Sequence, residues 1–382
     1  MLLIKNGNIH DAVKEQSFKA DILIADGIIK EIAENIVCEK ADVVDAEGLQ
    51  VYPGFVEAHG HIGLDGYGMG FEGRDYNERG DVCTPYLRGI DGVKAMDPAF
   101  QHAANAGVTT VCTGPGSANV VGGTFTTIKT IGKRSDDMIV RDNVAMKCAF
   151  GENPKNVHKE KGNMTRMSTQ ANLRNLLEKT IEYKAKKDAA GDDITKKPPY
   201  DQKLEAMIPV IERKMPLKAH AHATDDIFSA IRVAKEYNLR LTLEHVTEGH
   251  MIVEELAKEK DIPMAVGPSL SNASKIELRN KTFATPGILA NAGCQVSIIT
   301  DSPVIPQEYL PLCAGLAVKS GMKPFDALKA ITINAAKHAQ IDDLVGSIEV
   351  GKHGDIVITD GCPFDIDTEV KYVFIKGKKV NR

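Results

Sequence analysis

The sequence predicts an α/β chain, a (β/α)8 barrel with a small β-sandwich domain built from both termini. Three observations carry this: short β-runs alternate with helix-like stretches through residues 51–344, several of these runs end in a histidine or an aspartate, and both ends of the chain hold short strands with glycine turns. Alternating β and α signals indicate a parallel sheet covered by helices. A (β/α)8 barrel gathers its chemistry at the C-terminal ends of its strands. The 382 residues, 43% of them hydrophobic, suffice for one barrel of about 250 residues and a smaller satellite.

Taken in order, residues 1–50 are expected to form the first part of the sandwich, with strands at Leu2–Lys5, Asp21–Ala25 and Ile28–Ile32. Asp26-Gly27 between the last two is a two-residue hairpin signal. Val51–Ala58 reads as the first barrel strand, Ala95–Ala106 as a helix ended by Gly107, and Val108–Thr113 as the next strand. The glycine-rich stretch from Gly114 to Gly123 lacks the P-loop pattern and is expected to be a βα-loop lining the pocket. A third strand is expected in 125–140, without clear bounds, and a fourth over Asn143–Phe150. Arg166–Lys187 reads as a long helix with Leu173, Leu176, Leu177 and Ile181 as its apolar stripe, followed by an exposed loop through Pro199. Further helices are expected at Asp226–Glu236, Met251–Lys258 and Lys323–Ala336. Residues 345–382 return to the style of the N-terminus, with strands at Asp355–Thr359 and Tyr372–Ile375, and complete the sandwich.

Candidate site residues stand at the strand ends. His59 and His61 lie two apart at the end of the first barrel strand, so they share a face and converge on one point. Two neutral imidazoles suit a borderline-soft divalent metal such as zinc. Lys218-Ala-His220-Ala-His222, Leu239–His245 and Val296–Asp301 end in further candidates. A carboxylate ending an aliphatic strand, as Asp301 does, is costly unless it binds metal or is hydrogen-bonded. Arg74, Arg79 and Lys155 are candidates to hold a substrate carboxylate.

With these pieces in place, the chain resembles the amidohydrolase superfamily of metal-dependent hydrolases over nearly its whole length. The stretches that carry the likeness are "LLIKNGNIHD", "VDAEGLQVYPGFVEAHGHIG", the histidine strands, "IITDSP" and "GSIEVGKHGDIVI". Within the superfamily it looks most like the imidazolonepropionase-like and prolidase-like branches. The resemblance implies a divalent metal, zinc first, with one or two ions per chain, and His59, His61, His220, His245 and Asp301 as ligands. Its spacing favours His220 over His222 on that strand, leaving His222 toward the substrate. A bridging group decides between one ion and two, and in relatives it is a carboxylated lysine or a glutamate. Strand alternation over 143–152 puts Lys147 and Glu152 on opposite faces, with Phe150, Cys148 and Met146 inward. Glu152, past the strand end, is the expected ligand, unless a bulge at Gly151 breaks the parity.

The implied reaction is hydrolysis of an amide or cyclic-amide C–N bond. Asp301 moves the proton, and His245 or His222 donates to the developing oxyanion. Deamination is the alternative reading. Deaminating relatives carry a glutamate three residues after the strand-five histidine, whereas here position 223 is alanine and Asp225 is a shorter substitute. A scaffold that has lost its metals is the third reading, which the filled ligand set opposes.

Other classes are set aside by composition. A net charge of −5 and a pI near 6.1 give no basic footprint for nucleic acid. No apolar run reaches the roughly 18 residues of a membrane span, and the start lacks the pattern of a secretion signal. Seven cysteines without regular spacing indicate reduced thiols. A cytoplasmic enzyme acting on a small molecule is expected, and a homo-oligomer is compatible with this.

Overall fold

The computed structural model describes residues 1–381. Among these residues the strands form two eight-stranded sheets. The chain begins with β1 (Leu2–Ile9), β2 (Phe18–Ala25), β3 (Ile28–Ala33), β4 (Asp42–Asp45) and β5 (Gln50–Pro53). The barrel strands follow as β6 (Phe55–Gly60), β7 (Val108–Thr113), β8 (Val121–Lys129), β9 (Ile139–Ala149), β10 (Leu217–Ala221), β11 (Leu241–His245), β12 (Met264–Val266) and β13 (Val296–Ile298). The chain ends with β14 (Ile356–Thr359), β15 (Val370–Ile375) and β16 (Lys378–Lys379), which join the first sheet.

The two ends of the chain meet where β14 pairs antiparallel with β5, Val357 opposite Tyr52. Asp26 and Gly27 both take positive φ, 53° and 78°, as a tight turn matching strand twist requires. The sheet curls back on itself: a Cβ at Gly354 or Gly377 would come within 2.5 or 2.7 Å of Ile24 Cγ2. Only glycine permits that approach. Between the layers Ile4, Ile22, Ile24, Val51, Ile356 and Phe374 form one core. The other face of β14 turns Val357 onto the barrel, beside Phe55, Phe100 and Val108.

In the second sheet the strands run in sequence order from β6 to β13. One differs from the expectation: β8 pairs antiparallel with both β7 and β9. A parallel crossover needs a dozen or more residues, and residues 114–120 are too few, so the chain turns straight back. The glycine-rich stretch is therefore shared between a short loop and the start of β8, and the third strand begins before the expected window. Residues 217–245 and 264–298 keep the parallel order.

The seam between β13 and β6 is closed by side chains as well as backbone. Glu57 accepts hydrogen bonds from Thr300 N (2.9 Å), Thr300 Oγ1 (2.6 Å), Gln307 Nε2 (2.8 Å) and His59 N (3.1 Å). Burial pushes its carboxyl up to about 7, against the pull of those donors. His61 N donates to Ser302 O at 2.6 Å. These contacts hold the tips of the first and last barrel strands together.

The helix Arg166–Ala190 begins at a capping box between Thr165 and Ser168. It buries Leu173, Leu176 and Leu177, whereas Ile181 is exposed. It also runs further into the charged stretch than expected. The expected helix over 323–336 is divided into Pro324–Ala330 and Ile333–His338. All seven cysteines are free thiols, and Cys112, Cys148 and Cys294 are buried. Among the described residues no helix is long and apolar enough to cross a membrane.

Candidate metal centre

Strand alternation brings the histidines of β10 inward. Leu217, Ala219 and Ala221 pack outward into the helical layer, so Lys218, His220 and His222 face the barrel interior. On β11 the pattern breaks to useful effect. Glu244 points inside, and His245 should point out. Its φ of 78°, followed by 44° at Val246, returns the ring to the cavity. Asp301 likewise has φ 53°. Left-handed backbone costs a β-branched residue most, and here it coincides with the site.

Two groups of donor atoms result. Atoms of His220, His222 and His245 lie within 4.8 Å of one another, as do those of His59, His245 and Asp301. Asp301 Oδ1 is 3.3 Å from His61 Nε2 and 3.6 Å from His59 Nε2. His61 Nδ1 donates to Gly114 O (2.7 Å) and His245 Nδ1 to Gly267 O (2.8 Å). A carbonyl can only accept, so in both rings Nε2 keeps its lone pair for the cavity. His222 Nδ1 lies 2.7 Å from Thr247 Oγ1.

Beneath the imidazoles is a buried charged layer. Glu244 is fully buried, with Oε2 3.0 Å from both His59 Nδ1 and Lys218 Nζ. Its Oε1 is 2.8 Å from His338 Nε2 and 2.7 Å from Thr242 Oγ1. Lys218 also donates to Ala58 O at 3.0 Å. Burial raises the Glu244 carboxyl, but His338 and Lys218 outweigh it and hold the group well below the usual range. Ionised Glu244, 3.0 Å away, favours the His59 tautomer with its proton on Nδ1. Phe125, from the reversed strand, packs against this layer, its ring centre 5.1 Å from that of His59.

Lys147 belongs to this interior, which corrects the alternation argument. Met146, Cys148 and Phe150 pack outward with Leu173, Leu176 and Leu177. Lys147 Nζ is fully buried and 3.1 Å from His59 Nε2. Gly151, at φ 84° and ψ −142°, breaks the extended parity on which the face assignment depended. Glu152 then opens a short helix outside both donor groups, and its Oε2 accepts from Glu277 N at 3.3 Å. Burial pushes the Lys147 ammonium down to about 8.

Further placements differ from expectation. His222 stands with His220 rather than further out. Arg74 and Arg79 are exposed and Lys155 half-buried, and none lines the histidine cavity; Arg74 instead lies 3.7 Å from Asp65. Asp225 is exposed in the first turn of the helix Thr224–Glu236. The cavity, about 470 Å³, is lined beside the histidines by Tyr76, Ser117, Asn153, Asn272 and Lys275. Glu244 and Lys218 lie inside motifs already noted; Asn272, Lys275 and Glu277 sit in the connection after β12, Glu277 in a single 3-10 turn (Ile276–Leu278), with no recognisable sequence pattern.

The donor set fits a divalent metal. Burial holds the imidazoles of His59, His220 and His222 well below the ordinary value and that of His245 down at about 4. They are therefore neutral, as ligation requires. His245 Nε2 and Asp301 Oδ1 are buried without a hydrogen-bond partner, a costly state that a cation relieves. Asp301 is kept well below the usual carboxylate range; burial opposes this, but His245, His61 and His59 prevail.

Comparison with known proteins agrees with this geometry. An amidohydrolase from Thermotoga maritima superimposes with a TM-score of 0.96 and 39% identity, covering 100% of both chains. An amidohydrolase from Hapsidospora irregularis is 27% identical over 94% of this chain, and an adenine deaminase from Desulforamulus reducens 23% identical over 99%. The chain spans 39% and 57% of the lengths of those two curated relatives. The amidohydrolase family profile matches residues 50–380, from the last N-terminal strand through the whole barrel to the closing strands. The chain belongs to the amidohydrolase family.

Proposed function

We propose that this chain hydrolyses the C–N bond of an amide or cyclic amide in a small molecule, with Asp301 moving the proton. The observation that carries the reading is Asp301 itself. Its Oδ1 is buried, lacks a hydrogen-bond partner and faces the Nε2 atoms of His59 and His61 at 3.6 and 3.3 Å. His59, His61, His220, His245 and Asp301 would hold the metal, with His222 beside them, and the imidazole–carboxylate set suits zinc. When bound, the ion supplies Lewis-acid polarisation of the carbonyl and lowers the pKa of water. Lys147, rather than Glu152, would supply the bridging group as a carbamate, since its Nζ is buried 3.1 Å from His59 Nε2 while Glu152 stands outside both donor groups.

Asp301, ionised at neutral pH, accepts the proton of the attacking water and returns it to the leaving nitrogen. His222, with Nδ1 2.7 Å from Thr247 Oγ1, would turn Nε2 toward the same ion as His220 and His245. Ser117, Asn153 and Asn272 offer neutral donors and acceptors to a polar substrate, and Lys275 takes the carboxylate-binding place assigned above to the arginines. A volume near 470 Å³ is that of a small-molecule site.

Deamination is the second reading, favoured by the similarity to an adenine deaminase along 99% of this chain, which spans 57% of that relative. Against it stand Ala223 and the exposed Asp225. The two are separated by incubating the metal-loaded protein with N-acyl amino acids, dipeptides, cyclic amides and aminopurines, while measuring new carboxylate and free ammonia. Carboxylate from an amide without ammonia is expected. Ammonia from an aminopurine, with every amide left intact, overturns the amide reading in favour of deamination.

A further inference from the structure

Glu277 lies in the segment after β12, away from every strand tip, yet it is 4% exposed and its carboxylate enters the histidine cluster. Oε1 is 3.6 Å from His220 Nε2 and 3.8 Å from His222 Nε2, and its one close charged partner on the other side is Lys275. Oε2 accepts the backbone N–H of Glu152 at 3.1 Å, which anchors the carboxylate from the other side. The cation in contact is Lys275, with Nζ 2.5 Å from Oε1, and Arg166 lies within electrostatic reach; Lys275 Nζ is also 3.2 Å from Asn153 Oδ1. Donor atoms about 2.0–2.2 Å from a tetrahedral zinc are about 3.4 Å apart. The two carboxylate–imidazole separations are close to that spacing.

We propose that Glu277 is a carboxylate ligand of the ion seated on His220, His222 and His245. The proposal rests on the metal-centre reading above and adds a ligand that no strand end supplies. Buried carboxylates need a counter-charge, and on this assignment the ion takes that part over from Lys275. Ligation also ties the segment 271–281 to the barrel. Because Ser271, Asn272, Lys275 and Leu278 line the cavity, metal binding would add a further tie to this wall of the substrate pocket, beyond the bonds of Glu277 to Glu152 and of Asn280 to Glu248.

The test is a titration of the chelator-stripped full chain with Zn²⁺ against a chromophoric chelator, with hydrogen exchange of residues 271–281 followed in parallel. Glu277→Gln keeps the shape and an acceptor for Glu152 N–H, but its neutral amide is a poorer ligand. Loss of a partner one step outside a metal site weakens binding about 10–100-fold. A direct ligand should therefore cost at least tenfold, confined to one equivalent of metal, and metal should no longer slow exchange in 271–281. Lys275→Met separates ligation from a structural ion pair. If Glu277 serves the metal, this variant binds Zn²⁺ as tightly as the wild type or more so; if the pair is structural, binding weakens. The role of Glu277 is overturned by wild-type affinity and protection in Glu277→Gln, or by weakened binding in Lys275→Met. His220→Ala is the control. Should it lose one equivalent while Glu277→Gln keeps both, only Glu277 is excluded. If His220→Ala also binds normally, the metal centre itself is wrong.

Discussion

Asp301→Asn is expected to lower turnover by roughly 10²–10⁴, the worth of general acid–base help, while metal content and substrate affinity change far less. Asparagine nearly reproduces the shape of aspartate and still offers an oxygen toward His59 and His61. It also accepts the left-handed backbone of position 301, φ 53°, better than most residues. What it loses is the ability to take and release a proton near neutral pH. Turnover, substrate affinity and metal content should be measured together on a substrate found in the amide panel. Near-normal turnover with full metal would show that another group moves the proton.

Lys147→Met is expected to lose one equivalent of metal and about 10²-fold or more in turnover, on the scale of removing a general acid–base or orienting group. The side chain is fully buried with Nζ 3.1 Å from His59 Nε2, so a small bridging group built on that atom would meet the donor set directly. Carbamate formation adds the amine nitrogen to carbon dioxide, forms one C–N bond and releases one proton. The product would carry two carboxylate-like oxygens able to bind metal. Burial lowers the ammonium to about 8, which keeps a share of nucleophilic amine at neutral pH. Stripped wild-type protein should therefore regain metal faster with bicarbonate than in carbon dioxide-free buffer, and Lys147→Met should show no such effect. Full metal and activity in the variant, or indifference of the wild type to bicarbonate, contradicts the bridge.

Much of this arrangement could be read from the residue order because strands expose it. His59, His61, His220, His245 and Asp301 end β-runs, and the structure gathers them because a barrel brings its strand ends to one mouth. The reversal of β8 was less accessible: its Val- and Thr-rich run reads as a strand in either direction, and only the shortness of 114–120 betrays the turn. Parity failed where the backbone left the extended region. Gly151 moved Lys147 inside and Glu152 out, and His245 entered the cavity beside Glu244 through a left-handed residue. Glu277 and Lys275 lie on a connection without periodicity, and a residue there reaches the site through loop shape, which no local pattern encodes.

The most direct test of the metal centre is the divalent-metal content of the purified full chain beside that of the His59→Ala/His61→Ala variant, measured by elemental analysis after extensive dialysis. One or two equivalents in the wild type, with the double variant losing most of its metal and its activity, is the expected result. Full occupancy in the double variant, or a wild-type protein that turns over amide with no metal at all, would contradict the metal centre described above.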